Sequence, residues 1–291
     1  MRIATRGSAL ARWQAEHVAS LLGEDVELVL IETAGDKNRD VPIHEIGGRG
    51  VFVKAVQHAV LDGRADIAVH SAKDLESTQT PGLVIGAVPE RADVRDALVG
   101  STLADLPTGG QVATGAVRRR AQLAAQRPDL TFHDLRGNID TRLAKAADFD
   151  AIVVAAAALD RLGLMDRAAE VLPITVMVPQ VGQGALAVEC RADDGETLAR
   201  LAAIEHRDSR TAVDAERAFL AELGGGCDLP VGAYATVEAD NVRVRAFLST
   251  LDGRQSLIHE AVGPAADPVA VGQMVSRFLL DDAGGRELLP T

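Results

Sequence analysis

Short apolar runs alternate with helical patterns through the first two thirds of this 291-residue chain. That alternation constrains the fold most, because strands separated by helices build a mostly parallel sheet covered by helices. The pattern predicts strands over 2–5, 26–33, 66–70, 83–88, 97–99, 111–114, 130–135 and 151–155. Helices are expected over 9–22, 51–61, 117–126, 140–147 and 195–204. The last third changes character. Residues 208–223 read as a helix, GGGC breaks it, and three alternating segments follow at 232–238, 242–249 and 255–262. Asp240-Asn241 and Asp252-Gly253 supply the turns of an antiparallel meander. A helix over 268–280 ends this small α+β domain. A faint repeat runs through the earlier part: IATRGSALARWQA (3–15) is similar to VATGAVRRRAQLA (112–124), and RADIAVHSAKDL (64–75) to DFDAIVVAAAAL (148–159). These pairs read either as two similarly built α/β lobes with a central cleft, or as the common look of strand–turn–helix units.

Composition narrows the function classes. Hydrophobic residues are 47% and charged residues 25%, the balance of a globular protein with material for real cores. Aromatics are 3%, so the cores are built from Ala, Val, Leu and Ile. The net charge of −12 opposes general nucleic-acid binding. No apolar run is long enough for a transmembrane helix and the N-terminus lacks a signal-peptide core, so a cytoplasmic protein is expected. Cys190 and Cys227 form neither a zinc pattern nor a disulfide framework, and the histidines show no ligand spacing, so no metal is assigned. The segment 33–50 is polar, charged and Gly-rich, with the length of a lid rather than a turn.

Arginines gather after strand ends. Arg6 follows the first strand, Arg118, Arg119 and Arg120 follow the strand ending at Thr114, and Arg136 follows the one ending at Leu135. Arg142 lies one or two turns further on, and Arg161 follows the strand ending near Ala155. Ligands of open α/β sheets bind at the carboxyl ends of strands, where helix N-termini add N–H donors. The guanidinium fork matches carboxylate or phosphate. One such arginine reads as solvated surface; five or six at one edge of an acidic chain favour a polyanion site. In HSAKDL, Lys73 and Asp74 also follow an apolar strand. The pair suits acid–base work or stabilisation of a cation, and taken alone it reads as a loop salt bridge. Asn138 in LRGNIDTR is placed to cap the next helix. Cys190 lies within an alternating strand and reads as a core thiol. Cys227, on the permissive GGGC backbone, reads as a nucleophile, an attachment point or an incidental loop thiol.

Together the motifs resemble the porphobilinogen deaminase family. ATRGSALARWQ, GGRGVFVK, ADIAVHSAKD, RRRAQL, RPDL, LRGNIDTRL, DRLGL, VGQGALAVECR and AERAFL…GGGCDLPVGAYA occur in family order along nearly the whole chain. The resemblance implies two lobes like those of periplasmic binding proteins plus a C-terminal α+β domain. It divides the chain into domain 1 at 1–89 and 185–203, domain 2 at 93–178, and domain 3 at 207–291. It implies stepwise head-to-tail condensation of four porphobilinogen molecules with release of ammonia, giving hydroxymethylbilane for tetrapyrrole synthesis. A dipyrromethane cofactor is implied as a thioether on Cys227. The family motifs carry over Asp74 as the catalytic carboxylate. Lys73, Arg118, Arg119, Arg136, Ser8, Thr114 and Asn138 are implied around the cofactor. Arg6, Arg142, Arg161, Gln14, Phe52 and Gln183 are implied around the substrate. A monomer is expected.

Three positions depart from the family pattern. Gly115 and Ala116 stand where serines are usual, which removes two hydroxyl donors, and Glu76 stands where Pro is usual, which adds a negative charge near Asp74. Two other function classes compete with the enzyme. A two-lobed anion-binding protein fits the arginines but not the GGGC loop. Nucleic-acid binding through Arg118–Arg120 is opposed by the charge and the few aromatics.

Overall fold

The computed structural model describes residues 1–23, 25–33, 53–225 and 229–289. Phe52, Cys227 and the segment 34–50 lie outside them. The chain divides into two compact units, Met1–Arg91 with Ala185–Arg210, and Ala92–Gly184 with Thr211–Thr291.

The first unit is built on β1 (Arg2–Arg6), β2 (Glu27–Ile31), β3 (Ile67–Ser71), β4 (Leu83–Ala87) and β10 (Leu186–Arg191). Its five-stranded sheet has the order β2-β1-β3-β10-β4. β1 is parallel to β2 and β3, while β10 runs antiparallel to both β3 and β4. Alternate side chains feed two cores. Ile3, Ile67, Val69 and Val188 pack with Val18, and Ala4, Ala68 and Leu83 pack with Val56 and Val60. Each fully buried aliphatic side chain stabilises by roughly 1.5–3 kcal/mol. Val18 belongs to α1 (Ala9–Leu22), and Val56 and Val60 to α2 (Lys54–Leu61). Ser8 caps the start of α1, and Gly23 ends it in the left-handed region at φ 66° with its N–H on the Ala19 carbonyl.

The second unit repeats that plan. β5 (Asp96–Val99), β6 (Gln111–Ala113), β7 (Thr131–His133), β8 (Ala151–Ala155) and β9 (Glu170–Leu172) form a sheet in the order β7-β6-β8-β5-β9. β6 is parallel to β7 and β8, and β5 is antiparallel to β8 and β9. Strand for strand, β6, β7, β8, β9 and β5 stand where β1, β2, β3, β4 and β10 stand in the first sheet. Both repeat pairs in the sequence fall on topologically equivalent elements. Residues 3–15 give β1 and α1, while 112–124 give β6 and α3 (Val117–Gln126). Residues 64–75 and 148–159 contain β3 and β8. The helices α4 (Ile139–Ala144) and α5 (Ala156–Arg161) follow β7 and β8.

The same unit holds the C-terminal elements. The helix α7 (Arg207–Glu222), which follows α6 (Gly195–Leu201), packs with α8 (Pro268–Arg277) on the meander β11 (Val231–Glu238), β12 (Asn241–Ser249) and β13 (Ser256–Pro264). Phe219, Val244, Leu248 and Val275 form the centre of that core. The two helices touch backbone to backbone: any side chain at Gly272 would run into the Ala215 carbonyl. Where predicted elements fall on described residues they are observed to within a few residues at their ends, residues 51–52 of the predicted helix 51–61 lying outside them, and α5 has no counterpart among the predicted helices. β9 is the strand that the sequence pattern does not show, being only three residues long. Among the described residues no helix is long and apolar enough to cross a membrane.

Candidate active site

In the first unit, polar side chains collect at the carboxyl ends of β1 and β3. β1 ends at Arg6 and turns at once into α1, where the Ser8 hydroxyl accepts the Ala11 N–H at 3.3 Å. Gln14, buried on α1, donates to the Ser71 hydroxyl at 2.8 Å and so ties α1 to the end of β3. From Ser71 the chain enters a single 3-10 turn over Ala72–Asp74. Ala72 is buried and donates to the Ala185 carbonyl at 3.0 Å; Leu75, also buried, donates back to the Ala72 carbonyl at 3.3 Å. Fixed at both ends, the turn leaves Asp74 exposed and Lys73 half-buried. Arg6, Ser8, Gln14, His70, Ser71 and Asp74 line one pocket. A carboxylate in such a place can accept an N–H and offset a developing cation, while Arg6 suits a carboxylate of the ligand. Glu76 reaches Lys54 at 3.7 Å, so the charge it adds near Asp74 has its own counter-ion.

Sequence reasoning passed over two residues beside that pocket. Glu189 on β10 is buried, and its oxygens accept from the Gln57 amide at 3.2 and 2.9 Å. Thr80 in turn donates to the Gln57 carbonyl oxygen at 3.1 Å. The Nε2 of His70 lies 3.1 Å from Glu189, an ion-pair distance without hydrogen-bond alignment. Both residues stand inside apolar runs, AVHS and LAVEC, where a single polar residue on a buried strand was the available signal.

In the second unit the expected arginines have a different situation. Arg118 and Arg119, in the first turn of α3, are 3% and 4% exposed, so the basic run is not the surface patch that nucleic-acid binding would need. Arg118 donates to Asp96 at 2.8 Å and to the Val178 carbonyl. Arg119 holds the other Asp96 oxygen through Nε at 2.9 Å and Nη2 at 2.7 Å, and donates to the Val153 carbonyl at 3.0 Å. Gln183 donates to the same oxygen at 2.9 Å and to the Val94 carbonyl at 2.8 Å. Burial would raise the Asp96 pKa, but the charges of Arg118 and Arg119 and the hydrogen bond from Gln183 hold it down to about 2. Asp96, fully buried at the start of β5, was not singled out in the sequence, where it reads as a strand boundary.

Arg161 is also buried, donates to the Gly184 carbonyl at 2.7 Å, and is pushed down to about 10 by that burial. Thr114 accepts the Ala116 N–H at 3.3 Å. Gly115 has a steric reason: a Cβ there would sit 2.6 Å from the Leu135 carbonyl oxygen. Asn138 caps α4 by accepting the Thr141 N–H at 3.0 Å, and Arg142 donates to the Gly137 carbonyl at 2.9 Å. Cys190 is a buried thiol, as its strand position predicts.

The donors of this unit suit a ligand bearing carboxylates. Two guanidiniums share one buried carboxylate, which leaves an excess of positive charge. Among the described residues, the Nε of Arg118 and the Nη1 of Arg136 are buried without a hydrogen-bond partner, and such donors call for an acceptor. The ends of the loop that carries Cys227 lie close by. A Cβ on Gly225 would meet the Leu229 side chain, and Leu229 shares a small pocket with Arg118 and Ala116.

The sequence matches the family model described as porphobilinogen deaminase, dipyromethane cofactor binding domain, over residues 1–199. It matches the porphobilinogen deaminase C-terminal domain over residues 210–281. The porphobilinogen deaminase of Roseiflexus sp. RS-1 is 48% identical, with 99% of this chain and 97% of that protein covered. The Syntrophotalea carbinolica protein of the same name is 45% identical over 99% of this chain and 95% of its own. Among solved structures, a periplasmic His/Glu/Gln/Arg/opine family-binding protein from Silicibacter pomeroyi aligns at 14% identity over 70% of this chain and 88% of its own. Its TM-score of 0.37 is too low to bear on the fold. With nine motifs in order, a carboxylate pocket on one unit, buried arginines on the other and full-length relatives of one name, the chain belongs to the porphobilinogen deaminase family.

Proposed function

We propose that this chain joins four porphobilinogen molecules head to tail, releases four molecules of ammonia and gives hydroxymethylbilane, as a monomeric cytoplasmic enzyme of tetrapyrrole synthesis. The observation that carries the reading is the pocket in which Asp74 stands with Arg6, Ser8 and Gln14. Each porphobilinogen brings an acetate and a propionate, so the growing product is a polyanion and needs cationic donors. Arg6, Arg142 and Arg161 serve the substrate carboxylates, with Gln14, Phe52 and Gln183 shaping the surroundings. Cys227 holds the dipyrromethane by a thioether, and Arg118, Arg119, Arg136, Lys73, Ser8, Thr114 and Asn138 serve its side chains. When bound, that group supplies a primer whose pyrrole α-carbon is the first nucleophile and which stays on the protein when product leaves.

Asp74 accepts the pyrrole N–H and offsets the positive charge that develops as the aminomethyl C–N bond breaks. Because the 3-10 turn is anchored at Ala72 and Leu75, the carboxylate is positioned before substrate arrives. Arg118 and Arg119, held by Asp96, keep a fixed positive field at the start of α3. The division into domain 1 (1–89 and 185–203), domain 2 (93–178) and domain 3 (207–291) belongs to the same reading.

Intact mass, with peptide mapping around Cys227, tests it. The expected result is an adduct of two linked pyrrole units on Cys227, together with ammonia and a product that cyclises to uroporphyrinogen I. A bare Cys227 and no ammonia after incubation with porphobilinogen would overturn the reading in favour of an anion-binding protein.

A further inference from the structure

The pocket that carries Asp74 contains a second group able to accept and donate a proton, the imidazole of His70. Behind it stands a carboxylate whose one ion-pair partner among the described residues is this imidazole. Glu189 is buried, and the Gln57 amide fixes both of its oxygens. A buried carboxylate without a counter-charge is costly, and His70, when protonated, is the group placed to supply one. Among the described residues, the other charged groups lining the same pocket are Arg6 from β1 and Asp74 from the turn after its own strand. α1 and α2 offer it the neutral Gln14 and Val56.

The condensation produces a proton that needs an acceptor. The C–N bond of the aminomethyl group breaks and its electron pair leaves with ammonia. The α-carbon of the pyrrole being extended then forms a C–C bond to the resulting cation. Its C–H bond must break next, returning the electron pair to the ring and releasing a proton. We propose that His70, backed by Glu189, accepts this proton and passes it on to the departing ammonia, so that the pocket divides its labour: Asp74 handles charge and His70 handles the proton. The inference rests on the deaminase reading above.

Two measurements on the full-length protein test it. In the first, the His70 imidazole nitrogens are followed by 15N NMR, assigned by their disappearance in His70→Gln. Replacing Glu189 by Gln is expected to shift the resonance of the nitrogen that lies 3.1 Å from Glu189. Unmoved His70 resonances overturn the pairing. In the second, porphobilinogen carrying deuterium at its free α-position is compared with the protiated substrate. His70→Gln is expected to slow turnover by about 10²-fold and to show a larger primary isotope effect than wild type, because loss of that hydrogen becomes limiting. Slow turnover with no larger isotope effect, or turnover at the wild-type rate, overturns the proposal. Should His70→Gln fail to fold, Glu189→Gln carries the same isotope comparison with the same two outcomes. An inactive wild-type protein sinks the deaminase reading instead, so the two failures are distinguishable.

Discussion

The two five-stranded sheets share one strand order and one pattern of directions, yet their carboxyl edges are equipped differently. In the first sheet, the third strand ends in His70, Ser71 and a 3-10 turn that lifts Asp74 into an open pocket. In the second sheet, the equivalent strand β8 runs into Ala156 and Ala157, both buried, at the start of α5. Charge reaches the second edge from α3, and Asp96 offsets only part of it. The same scaffold therefore supports a reactive carboxylate in one unit and a held positive field in the other. Topology fixes where a strand ends, and the few residues after that end decide what it does.

The comparison breaks most severely at Asp96. Asp96→Asn leaves two buried guanidiniums without their carboxylate and is expected to cost roughly 3–5 kcal/mol, read as a large drop in Tm. The pH dependence has a definite sign. The folded carboxyl lies near 2, below its ordinary 3.8, so its contribution is complete above that ordinary value and is lost as pH falls through the interval towards 2. The Tm gap between wild type and variant should therefore close over that window.

Asp74→Asn tests the other edge. Asp74 is exposed and carries no core contact, so stability should hold while steady-state turnover falls by about 10²–10³-fold, the scale of one lost electrostatic contact to a transition state. Equal loss of Tm and turnover would erase the contrast between the edges.

Gly115→Ser restores the residue usual in the family. The Leu135 carbonyl leaves no room for its Cβ, so urea titration should show a loss of about 1–3 kcal/mol rather than a gain. The smallest effect is expected at Asn138. Removing the α4 cap by Asn138→Ala should cost about 1 kcal/mol in the same titration, with turnover changed far less than by Asp74→Asn.

The alternation of apolar runs with helical patterns made most elements legible, because strand and helix periods differ sharply over five residues or more. The arginines after strand ends and the Lys73-Asp74 pair were legible as candidates for the same reason. What the pattern concealed was partnership. Asp96 stands at the edge of a four-residue strand, and nothing local says that it receives two arginines more than twenty positions away and a glutamine further on. His70 and Glu189 lie on strands brought side by side only by the crossover that inserts β10. Sequence spacing also placed Arg118 and Arg119 at an open edge, whereas burial and Asp96 hold them inside. β9 was missed because three residues carry too little periodicity.

The placement of β10 has a consequence for synthesis on the ribosome. The second five-stranded sheet is contiguous in sequence, from β5 to β9, and every strand has its neighbour once residue 172 has emerged. The first sheet begins earlier but lacks β10, the strand between β3 and β4, until residue 191 has been made. Until then β4 has no pairing partner. The later-encoded sheet is thus the first that can be completed, and the nascent N-terminal part, with its Asp74 turn, waits for the chain to come back to it.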